Sequence, residues 1–134
     1  MRSFKLNKLI RDKVLTDMEG LGQTVISRHL SDQEFLHELT RKLQEESKEF
    51  NPQDPKALDE LCDVLEVIES LAKQLGTDFE GLRNRQSIRK EKRGGFETRT
   101  FVDHVNLQDD DQWVEYYAKE PERFPEVSSD QRTN

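Results

Sequence analysis

The feature that most constrains this chain is a pair of helical segments between Ser31 and Gly76, each carrying acids where a core residue belongs. In the first, Phe35, Leu36, Leu39, Leu43 and Phe50 recur at helical spacing and define one apolar face. At about 100° per residue, with Glu46 as origin, those five fall between roughly −20° and 80°, so Glu46 lies inside the face and Glu49 about 60° from it. The second segment repeats the device. With Glu60 as origin, Val67, Leu71, Val64, Ala57 and Ile68 lie between roughly −20° and 80°, and Asp63 again sits about 60° away.

The connection Asn51-Pro52-Gln53-Asp54-Pro55 is short and bracketed by prolines, which makes an antiparallel helix pair the simplest reading. Glu46 and Glu49 then precede the loop, Glu60 and Asp63 follow it, and the four carboxylates face one another across axes about 8–10 Å apart. Two like charges about 4 Å apart repel by about 4 kcal/mol at an effective dielectric near about 20. Acids tolerated on a core face need a countercharge, and hard divalent cations with oxygen ligands supply one. The expected ligand set for magnesium is therefore Glu46, Glu49, Glu60 and Asp63. The competing reading is a solvated glutamate face in a chain with 28 acidic residues. Two pairs, each with a member inside an apolar stripe and joined by a short loop, favour the site.

The chain has 134 residues, enough for one domain with a core and not for two. At 32% hydrophobic and 37% charged it would bury little as a compact monomer, so its core is expected to be completed by oligomerisation, as a homodimer or higher homo-oligomer. A formal charge of −7 argues against general nucleic-acid binding. The single Cys62 allows no internal disulfide and fits a reducing cytoplasm, and no long apolar run or signal pattern points to a membrane or to export.

In order, Leu6, Leu9, Ile10, Val14, Leu15 and Met18 predict a short helix from about Leu9 to Glu19, closed by Gly20 and Gly22. Gln23 to Leu30 has β propensity with partial alternation and reads as a strand. Ser31-Asp32-Gln33-Glu34 is a capping box opening the first acidic helix, which ends near Phe50. The second acidic helix runs from about Pro55 to Leu75, with Gly76 as its stop. Its apolar arc reaches roughly 160° through Leu58, Leu61, Leu65 and Ala72, more than one partner helix covers.

Thr77-Asp78-Phe79-Glu80 is a second capping box, opening a helix to about Arg93 whose later half is basic, and Gly94-Gly95 ends it. Phe96 to Val102 reads as a strand able to pair with the one near Val25. Asp109 to Lys119 forms a last short helix, and the polar chain after Pro121, residues 121–134, is expected to be a disordered tail behind one domain spanning 1–120. The fold class expected is all-α, four-helix type, with a minor β-hairpin.

The acid pairs EESKE (Glu45 to Glu49) and ELCD (Glu60 to Asp63) resemble the E-x-x-E … E-x-x-D signature of the all-α nucleotide pyrophosphohydrolases, the superfamily of the MazG proteins, phosphoribosyl-ATP pyrophosphohydrolase and the dimeric dUTPases. NKLIRDKV (Asn7 to Val14), ELCDVLEVIESL and KEKRGGFETRTF (Lys90 to Phe101) are similar to corresponding stretches of small MazG-like proteins, so the resemblance covers Asn7 to about Val102. The gap from Glu49 to Glu60 is shorter than is usual there. The resemblance implies a MazG-like bundle and places Glu46, Glu49, Glu60 and Asp63 as magnesium ligands, with manganese as a substitute and Glu45 as an accessory acid. It implies that Lys90 and Arg93 approach substrate phosphates.

The chemistry implied is hydrolysis of a nucleoside triphosphate to monophosphate and pyrophosphate, with Glu49, and beside it Glu46, acting on the attacking water. Arg11 and Lys13 either reach phosphates or pair with Asp12, Asp17 and Glu19. The other cations of the basic helix suit phosphate oxygens, yet a solvated face is the commoner role. Cys62 reads as packing. His29, His37 and His104 lack zinc spacing, and the chain lacks a calcium-loop pattern. Trp113, Tyr116 and Tyr117 either stack a base or pack. Three other readings stay open: a phosphoribosyl-ATP-type substrate, a catalytically silent helical interaction module, and nucleic-acid binding through the basic helix.

Overall fold

The computed structural model describes residues 1–131, and its regular structure there is helical throughout. Five α-helices follow in order: α1 (Asp12–Gly20), α2 (Asp32–Glu49), α3 (Ala57–Gln74), α4 (Phe79–Arg93) and α5 (Val114–Ala118). The chain divides into two compact units, one from Met1 to Gly94 that holds α1 to α4, and one from Gly95 onward that holds α5. No helix among the described residues is long and apolar enough to cross a membrane.

In the first unit α2 and α3 pack against each other, and α3 also packs on α4. The capping box of α2 forms as its residues demand: the Glu34 N–H donates to Ser31 Oγ at 3.3 Å and the Ser31 N–H donates to Glu34 Oε1 at 3.3 Å. The helix stops at Phe50, whose backbone turns extended ahead of Asn51-Pro52. α3 starts two residues later than Pro55 suggests, because Asn51 to Ala57 is taken up by turns, with the Asp54 N–H on Asn51 O and the Ala57 N–H on Asp54 O, both at 3.0 Å. At its far end the Thr77 N–H reaches Ala72 O at 2.9 Å and Gly76 takes φ 84°, a left-handed stop that suits glycine.

That stop also moves the next cap by one residue. Thr77 belongs to the end of α3, so Asp78 caps α4 and accepts the Gly81 N–H at 2.8 Å, where the Thr77 box would have used Thr77.

The expected β-hairpin is absent, because no strand occurs among the described residues. Gln23 to Leu30 runs as irregular chain, and Phe96 to Val102 is broken by a turn in which the Arg99 N–H donates to Phe96 O at 3.0 Å. Arg99 has φ 55°, outside the extended region a strand requires. Two short strands without a sheet to join are marginal in water.

The core is small: Leu39, Val67 and Ala72 are the only residues buried among those described. Phe35, Leu43, Phe50, Val64, Ile68 and Leu71 are half-buried around them, so the two apolar faces meet as their spacing requires. The outer arc of α3 stays open, with Leu58 77%, Leu61 43% and Leu65 46% exposed.

In the second unit α5 is shorter than Asp109 to Lys119. Turns occupy the residues before it, with the Asp111 N–H on Gln108 O and the Trp113 N–H on Asp111 Oδ1. Tyr116 and Tyr117 pack edge-on at 5.3 Å, Tyr117 meets Phe124 at 5.0 Å, and Trp113 meets Tyr116 at 5.5 Å, so the rings cluster on one another while Trp113 and Tyr116 stay about half exposed. Beyond Pro121 a turn leads to a single 3-10 turn, Ser129–Gln131. The end of the expected disordered tail, residues 132–134, lies outside the described residues.

Candidate functional site

The two acid pairs lie at the loop end of the α2–α3 pair, and three of the four acids are half-buried. Glu46, in the last turns of α2, keeps only 14% of its side chain exposed and meets Lys42 Nζ at 3.3 Å. A carboxylate so far withdrawn from water needs its countercharge close, and an i,i+4 lysine supplies it. Glu60, in the first turn of α3, turns back on the connection: its Oε2 accepts the Asn51 N–H at 2.9 Å and satisfies a donor left over where α2 ends.

Asp63, one turn on, accepts from Arg11 Nη2 at 3.0 Å, a contact spanning 52 positions of sequence. Glu49, the fourth, is exposed and makes no ion pair or side-chain hydrogen bond among the described residues. Among those residues no three acidic, histidine or cysteine side chains stand close enough together to hold a metal ion. The helix pair thus brings the acids to one end of the unit, and their side chains turn to separate partners, a lysine, a backbone N–H and an arginine.

The expected phosphate-binding cations divide. Arg11 is at the acids, paired with Asp63 and not with Asp12, Asp17 or Glu19. Its guanidinium fork is the kind of donor that also fits phosphate oxygens. Lys13, on α1, is exposed and forms no ion pair among the described residues. Lys90 and Arg93 lie in the last turn of α4 and are exposed. α4 follows α3 after a connection of four residues and packs on it through its first turn, where Phe79, Gly81 and Leu82 are half-buried.

Two cations escape notice in the sequence. Lys42 holds Glu46 and approaches Glu45 at 3.9 Å, and Lys8 approaches Glu45 at 4.0 Å. The Lys42–Glu46 spacing of four on a helix is a readable signal. Lys8 and Arg11 carry no such signal, because their partners depend on the path of the chain ahead of α1. Between Lys8 and Leu9 and the flank of α2 at Glu38, Arg41, Glu45 and Lys48 lies an open groove of about 300 Å³, mixed in charge and floored by the Arg41–Glu38 pair at 2.8 Å.

No family model, curated protein or solved structure matches this chain.

Proposed function

We propose that this chain is a magnesium-dependent nucleoside triphosphate pyrophosphohydrolase built on a MazG-like helical bundle. The observation that carries the reading is the half-burial of Glu46, Glu60 and Asp63 at one end of the α2–α3 pair, two of them held by cations. Carboxylates at that position cost stability unless compensated, and a compensating lysine or arginine can be exchanged for a divalent ion.

The donor set is all carboxylate oxygen, which suits magnesium and also manganese. Glu46, Glu49, Glu60 and Asp63 would hold the ion. When bound it supplies Lewis-acid polarisation of phosphate oxygens and an acidified water. The chain's own groups do the rest. Arg11 releases Asp63 and turns its fork to a phosphate, and Lys13, Lys90 and Arg93 bind the outer phosphates. Glu49, exposed and without a partner among the described residues, is the acid available to take the proton of the attacking water, with Glu46 beside it. The new bond joins the water oxygen to the α-phosphorus, the bond from that phosphorus to the bridging oxygen breaks, and pyrophosphate leaves.

One observation favours a second reading. Lys42 on Glu46 and Arg11 on Asp63 already balance two of the acids, which is what a catalytically silent helical interaction module needs. Incubating the full chain with magnesium and a panel of standard, altered and phosphoribosyl nucleotides, with pyrophosphate and orthophosphate assayed separately, separates the two. The enzyme releases pyrophosphate, loses it with EDTA and loses it in Glu60→Ala, and the preferred member of the panel names the substrate class. The module releases none from any nucleotide.

A further inference from the structure

We propose that the open leucine stripe of α3 is covered by α4 of a second copy of this chain, in a two-fold dimer where each α3 meets the other copy's α4. Leu58, Leu61, Leu65, Ile68, Ala72 and Leu75 follow one another at alternating spacings of three and four, the pattern of a helix–helix seam. The structure covers only part of it. Ala72 is 4% exposed and Ile68 is half-buried, whereas Leu58, Leu61 and Leu65 face solvent. α4 supplies cover with Phe79, Gly81 and Leu82, which are half-buried, and every residue from Arg83 to Arg93 is exposed. The first half of the seam therefore lacks a neighbour within the unit from Met1 to Gly94.

Charge selects the occupant. With Glu60 as origin, the open leucines Leu58, Leu61 and Leu65 lie at roughly 100–160° on α3, and the flank beyond them at roughly 180–260° carries Asp59 and Glu66 around Cys62, with Glu69 held by Lys73 at 3.5 Å farther along. Two such stripes laid on each other would set acids against acids. α4 has the opposite bias: Ile88, 66% exposed, has Arg85 and Lys92 one turn away and Arg89 beside it against one acid, Glu91, and the three cations form no ion pair among the described residues. An apolar stripe flanked mainly by acids and an apolar spot flanked mainly by cations are complementary. Each copy carries one of each, so a two-fold axis satisfies both contacts at once.

The test is sedimentation equilibrium of the full chain over a range of concentrations, with charge-reversed variants. Dimers are expected for the native sequence. Reversing α4 (Arg85→Glu, Arg89→Glu, Lys92→Glu) or α3 (Asp59→Lys, Glu66→Lys) is expected to raise the dissociation constant at least about tenfold, and combining the two sets to restore association. Every substituted side chain is exposed in the folded unit, so helicity by circular dichroism should be unchanged in all variants. A native chain that stays monomeric, a combined variant that fails to recover, or oxidation that links Cys62 to Cys62 in high yield, the mark of α3 lying on α3, would each overturn the proposal. Association is read without turnover, so this interface and the hydrolytic reading stand or fall separately.

Discussion

Glu34 does two jobs at the start of α2. Its Oε1 accepts the Ser31 N–H and its Oε2 accepts from Arg28 Nη2 at 2.7 Å. The hydrogen bond from Arg28, followed by that from the Ser31 backbone, holds the carboxyl at about 2, down from an ordinary 4.5, and the same pair raises the Arg28 pKa. The folded-state value is the lower one, so the stabilisation is fully present above about 4.5 and is lost as pH falls toward about 2. A titration of the Glu34 carboxyl by NMR should find its midpoint near the bottom of that window, and Arg28→Ala should move it up toward the ordinary value. A midpoint unmoved by Arg28→Ala would leave the arginine without the role assigned to it. At the same scale, the half-burial of Glu46 and Glu60 was legible from their angle within the apolar faces, because helical periodicity converts sequence position into side of the helix. The Arg11–Asp63 pair was not, since a contact across 52 positions depends on where the chain ahead of α1 passes.

Elements were legible in proportion to the local chemistry that makes them. α2 begins where the serine and glutamate of its capping box satisfy first-turn amides, and replacing the serine tests that cause. Ser31→Ala should cost about 1 kcal/mol and lower the Tm in a thermal melt by circular dichroism, while an unchanged Tm would assign the start of α2 to packing alone. Ends set by two adjacent elements were less legible. Thr77 could cap α4 by its own chemistry, but it is already used to close α3, and Asp78 takes the role. The strands failed for a related reason: β propensity at Gln23 to Leu30 and Phe96 to Val102 needs a sheet to become structure, and Arg99 with φ 55° interrupts the second stretch.

For the molecule as a whole, the buried residues Leu39, Val67 and Ala72 all belong to the unit from Met1 to Gly94. A chain ending at Gly94 should therefore keep the helical circular-dichroism signal of α1 to α4 and melt cooperatively. Collapse of that signal on truncation would show that the residues from Gly95 onward are needed for the helices to form. The low apolar content forecast so small a core, because a chain 37% charged has little to bury. By itself the amino-acid sequence determined the helical class, the α2–α3 pairing through its proline-bracketed loop, and the side of each helix on which the acids fall, since all three follow from periodicity and turn chemistry within some twenty residues. Only the tertiary structure decided that Asp63 meets Arg11 and which stretch of the α3 seam is left open. Those outcomes depend on distances between segments remote in sequence, which no local rule encodes.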